Sequence, residues 1–172
     1  MISENLEKAL NAQIRIEAES SQIYLSMACW AEAKGLEGVA GFMYDHADEE
    51  RVHMLKIVKY VNERGGKVKI SDLNAPETEF GSLQNMLQQL YDHELFVSKS
   101  INELVRITLE ENDYATHNFL QWYVAEQLEE EALARSVLDK INMIGDDKGG
   151  LYLFDRDIQQ LTVESIASST EA

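Results

Sequence analysis

Glu50 and His53 stand three residues apart in the run Glu49-Glu50-Arg51-Val52-His53. On an α-helix that spacing stacks them about one turn apart on one face. The apolar residues around them, Val39, Phe42, Met43, Ile57, Tyr60 and Val61, recur with helical period and put both inside the core-facing stripe. Three other segments repeat the arrangement. Glu17 interrupts the stripe Leu6, Leu10, Ile14, Ala28 and Ala31, with Tyr24 two turns further along the same face. Glu94 interrupts Leu83, Leu87, Leu90, Val97, Ile101, Leu104 and Thr108. Gln127 and Glu130 interrupt Phe119, Leu120, Tyr123, Ala134, Val137 and Ile141.

Buried carboxylates at one level of a helix bundle repel one another, and an unpaired buried charge is very costly. By spacing, no Lys or Arg falls on these stripes; Arg51 and Arg135 point elsewhere. Cations resolve the conflict. Oxygen ligands with one imidazole suit iron, manganese or zinc. Four carboxylates and one His exceed what one ion needs, and a bridging Glu50 makes a two-metal site natural. Glu49, Glu126 and Glu129 flank the stripes and could form a third, wetter metal site with Glu130. Trp122 reads as a packing residue and His93 as exposed; His46, one turn before Glu50, reads as a satisfied core histidine, with support of a metal ligand as the alternative.

The elements that must carry these groups are long helices, since only nine Gly and one Pro interrupt 172 residues. Helices are predicted at about 4–34, 36–64, 82–111, 114–143 and 151–162, within a single domain spanning 1–172. Ser3 suits an N-cap, Gly35 and Gly65-Gly66 suit helix ends, and Gly38 and Gly41 loosen the start of the second helix. Residues 65–81 hold Pro76 and the β-leaning run Lys67-Val68-Lys69-Ile70. Extended, they reach ~56 Å, enough to run back along a helix of ~42 Å. Short first and third turns with one long crossover describe an all-α, ferritin-like four-helix bundle. The fifth helix carries Leu151, Phe154, Ile158 and Leu161 and packs on its own domain or on another subunit. Residues from Ser165 onward read as frayed.

Composition narrows the function. The formal net charge of -16 argues against nucleic acid or anionic membrane as a partner. One cysteine, Cys29, precludes an intrachain disulfide and fits a reducing cytoplasm. Met1–Glu7 does not resemble a signal peptide, and no apolar run approaches the ~20 residues of a membrane span.

With Glu17, Tyr24, Glu50-x-x-His53, Glu94 and Gln127-x-x-Glu130 in place, the chain resembles the ferritins, specifically the bacterial non-haem ferritins, over essentially its whole length. The resemblance implies a di-iron ferroxidase centre. One iron would be held by Glu17, Glu50 and His53, the other by Glu50, Glu94 and Glu130 with Gln127 nearby. It also implies a third iron site of Glu49, Glu126, Glu129 and Glu130, and makes Tyr24 a redox partner or a support for a ligand. Iron(II) would be oxidised by oxygen or peroxide and stored as iron(III) oxo-hydroxide inside a hollow homo-oligomer of 24 subunits. Bacterioferritins carry a second E-x-x-H where this chain has Gln127 and Glu130, and a haem-binding methionine where it has Val52; no haem is expected. Animal ferritins line their three-fold channels with acidic residues, where this chain offers His117 and Leu120. Two other readings compete. A soluble di-iron oxidase or peroxidase of rubrerythrin type usually adds CxxC pairs, which a single Cys29 cannot supply. A metal buffer or structural acidic bundle would not need Tyr24 or so complete a ligand set.

Overall fold

A computed structural model of the protein describes residues 2–169, with side chains described through residue 161. Five α-helices are found among them: α1 (Glu4–Ala33), α2 (Glu37–Glu63), α3 (Leu83–Glu110), α4 (Tyr114–Ile144) and α5 (Lys148–Ser169). Helix α1 packs along α2 and α3 along α4, and α5 lies against α2 and α4. This is an all-α four-helix bundle with an additional C-terminal helix. No helix among the described residues is long and apolar enough to cross a membrane.

Side-chain oxygens start most of the long helices. Ser3 accepts the Leu6 N–H at 3.0 Å and Ser82 accepts the Asn85 N–H at 3.1 Å. Asp113 accepts the Thr116 N–H at 3.0 Å and is held by Arg64 at 3.0 Å. Each satisfies a donor the helix cannot pair internally. Helix α2 lacks a cap of its own at Leu36. Asp155 of α5 supplies one, accepting the Val39 N–H at 2.9 Å.

That contact gives Gly38 and Gly41 a role beyond the helix weakening expected of them. A Cβ on Gly38 would lie 1.6 Å from the Asp155 carbonyl oxygen, and one on Gly41 would lie 1.8 Å from Gln159 Nε2. The two glycines form a notch that lets α5 approach α2 closely. Helix α5 begins at Lys148 and continues through Ser169, so the stretch expected to fray from Ser165 is helical that far; residues 170–172 lie outside the described residues.

Residues 65–82 form no helix or strand and run along α1. Lys67 and Lys69 N–H groups donate to Glu7 and Asn11 at 2.9 and 2.6 Å. Further on, the Asn74 amide reaches Glu19 at 3.1 Å, and Phe80 meets Trp30 edge to face at 5.7 Å. The segment therefore travels parallel to α1 and delivers α3 to the end of the bundle where α2 begins. Its β-leaning run finds side chains of α1 in place of a strand partner.

The apolar core is in two parts. One gathers Met27, Phe42, Met43, Leu87, Val137 and Ile141. The other gathers Leu6, Leu10, Ile57, Val61, Val97, Ile101 and Leu120. A polar layer separates them.

Candidate metal centre

The four long helices each contribute to that layer. Glu17, Glu50, His53, Glu94, Gln127 and Glu130 are all less than a tenth exposed. Their helices are anchored at both ends by apolar packing, so midpoints meet at one depth, as the spacing implies.

Glu17, Glu50 and His53 bring a ligand atom each to within 4.8 Å of one another. His53 Nδ1 lies 3.2 Å from Glu50 Oε2, and Gln13 Nε2 donates to Glu17 Oε1 at 2.8 Å. Burial, then the charge of Glu50, pushes the Glu17 carboxyl well above its usual range. Burial and the charge of Glu94 do the same to Glu50. Glu94 receives hydrogen bonds from Tyr24 and, at 3.1 Å, from Gln127 Nε2. Even so, burial and Glu130 raise it to about 7. Tyr24 is fully buried, and burial and the Glu94 charge raise its hydroxyl.

Glu130 is the exception. Burial would raise it, but the imidazole of His46 holds it below the usual carboxylate range. His46 Nδ1–H donates to the Phe42 carbonyl at 2.8 Å, and Nε2 lies 3.5 Å from Glu130 Oε2, an ion-pair distance. Burial would lower His46; the Glu130 carboxylate outweighs it and raises His46 to about 9. His46 is thus a cationic partner inside the cluster. Its position one turn before Glu50, on the same stripe, is the signal that could have found this role.

Two members of the expected third group meet the imidazole of the inner centre. Glu49 and Glu126 gather with His53, again with ligand atoms within 4.8 Å. They border a cleft of about 380 Å³ shared with Asp45, Asp48, Val52 and Trp122. Glu130 turns to His46, and Glu129 is exposed. Burial raises Glu49 and Glu126. Trp122 packs edge-on to His53 at 5.2 Å, and Lys56 Nζ sits 3.1 Å from the Trp122 ring centre. Tyr123 donates to the His53 carbonyl at 2.7 Å. His93, expected to be exposed, is half-buried. It pairs with Ser20 Oγ at 2.8 Å and meets the Tyr24 ring at 5.6 Å, because the crossover covers that side of α3.

Chemically, the layer is an acidic, nitrogen-bearing cage. Among the described residues, no Lys or Arg forms an ion pair with Glu17, Glu50, Glu94 or Glu130. Three carboxyls with raised proton affinity, Glu17, Glu50 and Glu94, are groups that exchange protons for a cation. The donor set fits divalent and trivalent first-row metals.

Known proteins are similar to this chain. A family model described as "Ferritin-like domain" matches residues 7–144. The chain is 47% identical over 165 residues to a probable bacterial non-heme ferritin-like protein of Haemophilus influenzae, covering 96% of this chain and 100% of that one. It is 44% identical over 163 residues to a bacterial non-heme ferritin of Campylobacter jejuni, covering 95% and 98%. An open-pore ferritin from the archaeon Archaeoglobus fulgidus superposes with a TM-score of 0.91 at 43% identity, over 92% of this chain and 98% of that one. Matched by that family model over residues 7–144 and by these relatives along nearly its whole length, this chain belongs to the ferritin family.

Proposed function

We propose that this chain stores iron by oxidising iron(II) at the buried centre and depositing iron(III) oxo-hydroxide inside a hollow shell of its own copies. The observation that carries the reading is the group Glu17, Glu50 and His53, joined across the polar layer by Glu94 and Glu130. Two iron(II) substrates would bind there, Glu50 lying between them. They would give up two electrons, reducing oxygen to hydrogen peroxide or peroxide to water. Glu17, Glu50 and Glu94 would release their protons as the cations enter, since each carboxyl holds its proton unusually strongly. Tyr24, hydrogen-bonded to Glu94, would orient that ligand. Glu49 and Glu126, with Glu129 beside them, would hold a third ion at the cleft. Exposed apolar side chains such as Met143, Tyr152 and Leu153 are available for contacts between copies, and 24 subunits in the cytoplasm is the assembly we infer. The relatives, named as ferritins, favour storage over a rubrerythrin-type oxidase.

The test is aerobic addition of iron(II) to the purified protein, followed by absorbance of iron(III) and by imaging. Rapid oxidation and an electron-dense core of many irons per chain are expected. A small species that never holds more than two or three irons per chain would refute storage.

A further inference from the structure

Two ligand groups share one imidazole. Glu17, Glu50 and His53 form one; Glu49, His53 and Glu126 form the other. The first is enclosed in the bundle, and the second borders the acidic cleft. A neutral imidazole has two ring nitrogens but only one free lone pair, because the other nitrogen carries the proton. A metal ion needs that lone pair. The ring is also hemmed in. Trp122 stands edge-on at 5.2 Å and Tyr123 at 6.2 Å, and the Tyr123 hydroxyl ties down the His53 carbonyl.

We propose that His53 is a ligand shared in turn by two ion positions, one inside the bundle and one in the cleft, so that filling either weakens the other. This rests on the metal-centre reading above. A cleft ion holds His53 only while the inner position is empty. Once an inner ion takes the imidazole, the cleft ion is left with the Glu49 and Glu126 carboxylates and is loosened. By linkage, the coupling factor is the same in both directions. The cleft would therefore capture ions well when the centre is vacant and release them when it is full.

Charge alone predicts no tightening for one variant. Glu17→Gln removes a carboxyl, which by itself leaves neighbouring cation positions unchanged where it held its proton and weakens them where it was ionised. It also cripples the inner group and frees His53, which tightens the cleft position. Zn(II), which undergoes no redox change, is the probe, and calorimetry on the assembled metal-free protein is the readout. The cleft ion is identified by its loss on adding Glu126→Gln. In Glu17→Gln that ion should bind at least ~10-fold tighter than the cleft ion of the unsubstituted protein, the scale on which disturbing a metal ligand changes affinity. The gain should vanish when His53→Ala is added. Glu50→Gln cripples the inner group equally and serves if Glu17→Gln does not fold. A cleft affinity that is unchanged or weaker overturns the shared-ligand proposal while leaving the centre intact. If no Zn(II) binding depends on Glu17, Glu50 or Glu126, the metal-centre reading falls with it.

Discussion

Replacing Glu94 with Gln removes one buried charge and keeps the side chain's shape. Glu94 is fully buried and ionises near pH 7 in the fold, against about 4.5 in an unfolded chain. Its folded-state proton affinity is raised, so the stability it contributes is fully present below about pH 4.5 and is lost as pH rises through about 7. At pH 8 the ionised group costs the metal-free fold roughly 3 kcal/mol. The amide introduced by Glu94→Gln would keep a hydrogen bond from Tyr24 and one to Gln127 after a flip of the Gln127 amide, but as neutral bonds weaker by about 1 kcal/mol in total. The net expectation is a gain of about 2 kcal/mol at pH 8 and little change at pH 4.5. With a urea slope of about 2 kcal/mol per molar, the unfolding midpoint at pH 8 should rise by about 1 M. The assay is urea unfolding of metal-free protein at fixed subunit concentration, at both pH values, with and without saturating Zn(II). Zn(II) should stabilise the unsubstituted protein more than the variant, because only the carboxylate can ligate. A lower midpoint for Glu94→Gln at pH 8, or a change that does not depend on pH, would show that the group serves folding and refute the reasoning.

His46→Leu should destabilise the metal-free fold by about 3 kcal/mol near pH 6, where removing one partner strands the other's buried charge. His46 has its proton affinity raised to about 9, so its contribution is lost as pH rises through 9; urea midpoints at pH 6 and 9.5 should show the deficit shrinking. If the deficit grows instead, the pair is not ionic. Gly38→Ala must displace the α5 backbone at Asp155 and should cost about 1–3 kcal/mol. Gly41→Ala meets only the mobile end of Gln159 and should be neutral or stabilising by up to about 1 kcal/mol. Thermal unfolding of the two variants side by side checks the notch; equal effects would count against it. Glu50→Ala should abolish rapid iron(II) oxidation in stopped-flow absorbance and leave the shell assembled in size-exclusion chromatography, whereas surviving rapid oxidation would move the centre elsewhere.

The bundle was legible because its cause is local. Apolar residues at helical spacing, a cap at Ser3, and one long unstructured link admit few architectures. The depth of the centre was legible for the same reason: four interrupted stripes, each broken near a helix midpoint, converge when the helices are packed in register. What spacing could not supply was pairing across helices. His46 and Glu130 lie on different helices, so sequence places both on core faces without saying that one neutralises the other. That Glu49 and Glu126 gather with His53 depends on side-chain positions on two different helices, which spacing along one chain does not give. Gly38 and Gly41 looked like weak points in a helix because the backbone they admit, at Asp155, is more than a hundred residues away.

The crossover has a further consequence. Because it carries the chain back along α1, the molecule is two α-hairpins joined by a strap: α1 with α2, and α3 with α4. Each hairpin closes over a short turn and makes its own contacts between residues near in sequence, the kind that form early in folding. The donors divide along the same seam. One hairpin carries Glu17, Glu50 and His53; the other carries Glu94, Gln127 and Glu130. Neither half encloses a cavity by itself. The cage comes into being when the hairpins dock, and the repulsion between Glu50 and Glu94, one from each, is added at that step. A cation arriving then ties one hairpin to the other, much as a rivet joins two plates.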